Sequence, residues 1–267
     1  MKRFWGYLWA AGLVAGIGGV VLPACAHNDS TLFIRQVQFP PTASPGQGCL
    51  YSAAAEASPA LFSGHFDVGL SSSYSPVVLV ANQLTARGDP LNVRTETARV
   101  QLRGAIVRVT DSVGNELSSF TSLTDGFIDP SQGATPSYGQ AAVTIIDPET
   151  SKLFRDPKRP DGSPSPYFLG NRGATRTVLT YFKVFGQTIG GTYVESGETQ
   201  FVITVCNGCL VSFPADASTS VTKYNCDAPV PVQLTGGTVL VPCAQGQESA
   251  VDCRLCKGLP ACNPDTP

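Results

Sequence analysis

Apolar and polar side chains alternate with a two-residue period through much of the chain between Ser30 and Cys206. In "HFDVGL", Phe66, Val68 and Leu70 fall on one face and His65 and Asp67 on the other, the pattern of a strand with one side buried. "VVLVA", Val77 to Ala81, is apolar throughout and rich in β-branched residues, so it predicts a strand covered on both sides. "VRTETARVQLRGAIVRVTD" sets Val100 and Leu102 against Arg99, Gln101 and Arg103, then changes phase at Gly104 so that Val107 and Val109 turn inward. A glycine at a phase change predicts a bulge. "SVGNEL" predicts the following turn, with Gly114 and Asn115 at its tip. Further strands are expected over Leu32 to Phe39, Ala142 to Ile146, Val178 to Phe185 and Thr199 to Cys206. After the first apolar segment, no run of ten or more residues has helical period.

These elements predict an all-β fold over residues 31–206. The expected form is an antiparallel β-sandwich with Greek-key connections, resembling immunoglobulin-like or fibronectin-like modules in pattern alone. The span of about 175 residues exceeds one such module of about 100, so long loops or a second small sandwich must account for the remainder. Two Pro-rich stretches are expected loops. One runs from Pro40 to Pro59 and holds Cys49; the other runs from Pro148 to Pro166 and holds the basic cluster Lys152, Arg155, Lys158 and Arg159. They read as solvated connections, or as a rim that touches a partner.

Residues 1–24 read as an export signal. Met1, Lys2 and Arg3 make a charged start, and Phe4 to Leu22 is an unbroken stretch of apolar or small residues with five glycines. Left uncut, its nineteen residues would just span a bilayer. The stretch ends in Leu22-Pro23-Ala24-Cys25, which resembles the lipobox of bacterial lipoproteins, with Pro23 where that family prefers Ser, Ala or Thr. The resemblance covers about the first 26 residues. It implies that the Cys25 thiol receives a diacylglycerol, that the leader is cut just before it, and that residues 25–30 tether the protein to a membrane, with the outer membrane as the expected location. Ala24-Cys25-Ala26 is also a site for ordinary signal peptidase, which would release a soluble periplasmic or secreted protein starting at His27.

Beyond Cys206 the pattern changes. Residues 207–267 have few strand-like runs besides "VPVQLTGGTVLVP", and from Cys206 onward the chain holds seven cysteines and seven prolines. So short a segment, poor in aromatics, cannot bury a large core of its own, and disulfides at about 2 to 4 kcal/mol each are expected to order it. The candidates are Cys49, Cys206, Cys209, Cys226, Cys243, Cys253, Cys256 and Cys262, an even set whose connectivity the sequence leaves open. Charged residues make up only 14% of the chain, whereas Gly and Pro are plentiful, a mixture suited to turn-rich β-proteins outside the cytoplasm. A formal net charge of −2 gives no electrostatic basis for binding nucleic acid.

Cys206-Asn207-Gly208-Cys209 has the spacing of thiol-disulfide oxidoreductases, in which the motif opens a helix whose dipole lowers the first thiol's pKa. Pro214 follows five residues on, so no helix is expected here and structural pairing is the expected role. A second C-x-x-C, Cys253-Arg254-Leu255-Cys256, would complete a four-thiolate zinc site only across 43 intervening residues. Typical zinc ribbons use about 15 to 20. Hydrolase chemistry is limited to His27 and His65, and no G-x-S-x-G elbow, P-loop or H-E-x-x-H is present. Asp125, Asp129, Asp147, Glu149, Asp156 and Asp161 fall near turns without EF-hand spacing. No metal and no cofactor is expected. The sequence thus predicts a non-enzymatic binding or structural protein of the cell envelope, tethered through Cys25, with an envelope protein or a glycan as partner. The alternative is a periplasmic thiol-disulfide or zinc-binding protein using the two C-x-x-C motifs.

Overall fold

The computed structural model describes residues 31–41, 48–87, 96–214, 224, 226–227 and 242–263. The export leader, Cys25, His27 and most of "VPVQLTGGTVLVP" lie outside the described residues. The first sheet contains β1 (Leu32–Gln38), β2 (Ala60–Leu61), β4 (Val77–Asn82) and β7 (Ser137–Ala142), in the order β2-β1-β4-β7 and antiparallel throughout. The second contains β3 (Ser63–Asp67), β5 (Val100–Asp111), β6 (Glu116–Ile128), β8 (Thr175–Thr188) and β10 (Thr199–Cys206), in the order β3-β10-β8-β5-β6. The short β9 (Tyr193–Glu195) pairs with the end of β8. A two-stranded parallel ribbon, β11 (Val211–Ser212) and β12 (Val251–Asp252), belongs to the C-terminal segment.

The protein is all-β in class, as the alternation predicts, and inward residues of both large sheets form one core. Val78 and Val80 of β4 meet Val107, Val109, Phe182 and Ile203 of the facing sheet in that cluster. Each fully buried Val, Ile or Phe contributes about 1.5 to 3 kcal/mol. The long strand β5 keeps the predicted phase change. Its register shifts between Leu102 and Gly104, after which Ala105, Val107 and Val109 are buried. A Cβ on Gly104 would collide with the Ser122 carbonyl and the Phe185 ring, so the bulge needs glycine.

The structure departs from the expected elements in four places, each with a physical reason. β3 runs parallel to β10 rather than antiparallel. Only Phe62 separates it from β2, so one extended segment leaves the first sheet and reaches the edge of the second in the direction it already has. β6, "ELSSFTSLTDGFI", carries no visible alternation of apolar and polar residues although its exposure alternates from Ser119 to Ile128, because Ser122, Thr124 and Gly126 hold inward positions while Leu123 and Phe127 face out. The strand expected at Ala142 to Ile146 lies earlier, as β7, although Val143, Ile145 and Ile146 are buried; their N–H groups pair with Pro76 and Tyr74 instead of a sheet ladder. Finally, the loop expected at Pro148 to Pro166 begins with a helix, α1 (Pro148–Arg155). Asp147 caps it, Pro148 opens it, Glu149 lies in its first turn and Arg155 in its last. At eight residues α1 is too short to display a helical period. Among the described residues no helix is long and apolar enough to cross a membrane.

Candidate functional site

The chemistry gathers along β3, where the sandwich meets the C-terminal segment. Gly64 and Phe66 are buried on the core side, so His65 and Asp67 belong to the outer side of the sheet, as the alternation predicts. Asp67 is nevertheless fully buried, because the chain after Cys206 folds back over it. Its Oδ1 accepts from the backbone N–H of Gly208 at 2.7 Å and of Gly69 at 2.9 Å, and its Oδ2 from Leu210 at 2.8 Å. Burial pushes the Asp67 carboxyl above the usual carboxylate range, against the pull of those three N–H groups and of Arg172. Gly208 makes the turn with a φ of 69°, a left-handed conformation that favours glycine. The motif closes on itself as the Cys206–Cys209 disulfide, with Cys206 buried and Cys209 exposed. The carboxylate and the two sulfurs all lie within 4.8 Å of one another.

Two positions back, the same edge is clasped by Glu248. Asp67 donates its N–H to Gly246 at 2.9 Å and Glu248 donates to the His65 carbonyl at 3.2 Å, so residues 246–248 cover the free edge of β3. The Glu248 side chain is only 4% exposed; its Oε1 accepts from the His65 N–H at 3.0 Å and from the Tyr74 hydroxyl at 2.5 Å, and its Oε2 lies 3.8 Å from His65 Nδ1. Among the described residues it alone, apart from glycines, has a positive φ, 59°. A non-glycine persists in that region when its surroundings over-determine it, which these contacts do. Burial and the neighbouring carboxylate push the Tyr74 phenol far above its ordinary range, so it stays a donor.

The remaining sequence candidates are dispersed. Asp147 caps α1, Glu149 pairs with Lys152 at 2.7 Å and Asp156 with Arg155 at 3.1 Å. Asp129 pairs with Arg99 at 2.9 Å, Asp125 accepts from the Gly126 N–H, and Asp161 accepts from Ser163, which holds its carboxyl below the usual range. These carboxylates serve as caps, turn formers and surface pairs. Lys152, Lys158 and Arg159 line a cleft of about 450 Å³ between β6 and α1, together with Leu117, Phe120 and Asp147. On the outer face of the six-stranded sheet, Arg99 sits over Phe127 at 4.9 Å and Arg108 over Tyr181 at 4.3 Å, while Phe185 stacks on Tyr193 at 6.2 Å. Leu123 is 85% exposed beside them. The charges on this face are mostly paired internally, Arg108 with Glu198 and Lys183 with Glu195.

All eight cysteine candidates are joined, as Cys49–Cys243, Cys206–Cys209, Cys226–Cys253 and Cys256–Cys262. The thiols that a four-cysteine zinc site would need are therefore in disulfides, and Cys253 and Cys256 each pair away from the first C-x-x-C. Sequence reasoning missed Asp67 and Glu248. The one local signal for Asp67 is the Asp-x-Gly turn that follows it, where Gly69 donates back to the carboxylate. Glu248 gives no local signal, since its partner His65 is 183 residues away. Comparison with known proteins finds no family, no curated protein and no solved structure that matches this chain.

Proposed function

We propose that the chain is an exported bacterial lipoprotein, anchored through Cys25, whose β-sandwich has a non-enzymatic binding or structural role at the cell envelope. The observation that carries this reading is the closure of all eight cysteines from Cys49 to Cys262 into four disulfides. Such a set persists in an oxidising compartment, which suits a chain that begins with an export leader. It also leaves Cys25 as the odd cysteine of nine. A free thiol outside the cytoplasm is a liability, and lipidation or removal with the leader each disposes of it. The outer sheet face, with Leu123, Phe127 and Tyr193 at 48% exposure or more, offers the sandwich an apolar and aromatic surface for an envelope protein or a glycan.

The test is the intact mass of purified mature protein before and after thiol alkylation, beside fractionation of Cys25→Ala. The expected result is an amino terminus at Cys25 carrying acyl chains, no alkylation, and loss of membrane association in the variant. An unmodified amino terminus at His27 overturns the anchor. For the binding role, Leu123→Glu with Phe127→Glu, made in Cys25→Ala so that no lipid holds the chain, should abolish the capture of delipidated envelope proteins and glycans shown by the parent Cys25→Ala protein; undiminished capture removes that face.

A further inference from the structure

We infer that Cys206–Cys209 is a thiol-disulfide exchange site, at which Cys209 offers its sulfur to an incoming thiolate and Asp67 supplies the proton that lets Cys206 leave. The inference rests on the geometry of the seam and on an oxidising compartment, and is independent of a lipid at Cys25. Three features set this disulfide apart from the other three. It closes the shortest loop, with a sequence separation of 3 against 6, 27 and 194. On chain entropy it therefore contributes the least of the four, and is the one the fold can best do without. It is the most polarised of the four, with Cys209 exposed and Cys206 fully buried, which makes Cys209 the residue open to attack and Cys206 the leaving group. And it has a fully buried carboxyl within 4.8 Å of both sulfurs.

The exchange partner is a dithiol, in a protein or a small molecule. Its thiolate attacks Sγ of Cys209, forming a mixed disulfide and breaking the Cys206–Cys209 bond. A thiolate left on buried Cys206 would be poorly solvated, and the Asp67 carboxyl, whose proton burial favours, passes that proton to it. The second thiol of the partner then displaces Cys209, which takes up a proton from water. Two electrons and two protons pass from the dithiol to the protein, and Asp67 regains its proton from solvent. The charged groups around Asp67 are Arg172, which acts on it through space, and the His65–Glu248 pair two positions back on β3. The motif opens no helix that would favour a Cys209 thiolate, so the reduced form is a weak nucleophile. The site is suited to receiving reducing equivalents, not to rapid oxidation of substrates. The turn also joins the two parts of the molecule, since Leu210 accepts from the Val251 N–H at 2.7 Å and Asn207 from the Gly173 N–H at 2.8 Å. Opening the disulfide thus loosens the seat of the C-terminal segment.

The test is native protein exposed to graded ratios of reduced to oxidised dithiothreitol, with alkylation and peptide mass mapping at each ratio. Cys206 and Cys209 should become alkylated at ratios at least about tenfold lower than any other pair, while the far-ultraviolet spectrum is unchanged. Reduction of all pairs together, or of another pair first, overturns the inference. The rate per reductant thiolate should fall as pH rises through the raised Asp67 pKa, and be flat in Asp67→Asn. A flat profile in the native protein overturns the role of Asp67, and needs no folded variant to be read.

Discussion

The sandwich and the C-terminal segment are held together by different means. In the sandwich, one cluster of aliphatic and aromatic side chains, including Leu32, Phe66, Tyr74, Phe182 and Ile203, joins both sheets. Among the described residues of the C-terminal segment the buried cluster has six members, Val211, Val251, Cys253, Cys256, Ala261 and Cys262, and three of them are half-cystines. Where a stretch cannot bury enough apolar surface to offset its chain entropy, covalent links lower the entropy that must be offset. The contrast predicts that the two regions answer to different perturbations: packing mutations should be felt in the sandwich, and reduction in the segment.

The largest effect should come from removing the longest link. Cys49→Ser with Cys243→Ser opens a bridge of sequence separation 194 and should lower unfolding free energy in urea by up to about 5 kcal/mol. Next is Phe182→Ala, at a side chain fully buried between the sheets, with a cost of about 3 to 5 kcal/mol by the same measurement. If the two regions are separable, Phe182→Ala should melt the sandwich while the Cys226–Cys253 and Cys256–Cys262 loops stay closed to alkylation under native conditions. Equal alkylation of those loops in the variant would show that the segment has no order of its own.

At the seam, Asp67→Ala strands the N–H groups of Gly69, Gly208 and Leu210 and should cost about 3 kcal/mol, with hydrogen exchange rising first at residues 207–210. The pH dependence has a definite sign. Because burial raises the Asp67 pKa in the folded state, its contribution is full below the ordinary carboxylate value of 3.8 and is lost as pH rises through the raised one. Asp252 in the C-terminal segment runs the other way. The bond from Arg254 holds its pKa down, so its contribution is present above the ordinary value and is lost as pH falls. As pH rises above about 3.8 native protein should lose stability relative to Asp67→Asn, whereas relative to Asp252→Asn it should lose stability as pH falls below about 3.8.

The same contrast explains what the sequence disclosed. Strands that pack the core on one face, or are covered on both as β4 is, announce themselves, and β4, β5, β8 and β10 were legible, including the bulge at Gly104. β6 was not, because its burial alternates while its hydrophobicity does not: Ser122, Thr124 and Gly126 sit inward and Leu123 and Phe127 outward. The alternation placed Asp67 on the outer side correctly but could not reveal that residues after Cys206 cover it, since that contact spans 141 residues to Gly208. Disulfide pairing was silent for the same reason: Cys49 meets a partner 194 positions away, and the spacing of the C-x-x-C motifs says nothing of Cys226 or Cys262.

The smallest of these effects is also the most selective probe of the seam. Glu248→Gln keeps an oxygen that can accept from the His65 N–H and the Tyr74 hydroxyl, and keeps the backbone at its φ of 59°. It removes only the negative charge facing His65 Nδ1 at 3.8 Å, and that imidazole is 52% exposed, so solvent screens the pair and the cost should stay within about 1 kcal/mol. Glu248→Ala removes the acceptor as well, leaving the Tyr74 hydroxyl and the edge N–H of β3 without a partner. It should cost about 1 to 3 kcal/mol more. Urea unfolding of the two variants separates the clasp from the charge. If both lose the same amount, the charge opposite His65 matters more than screening allows, and the hydrogen-bonded edge is not what seats the C-terminal segment on the sandwich.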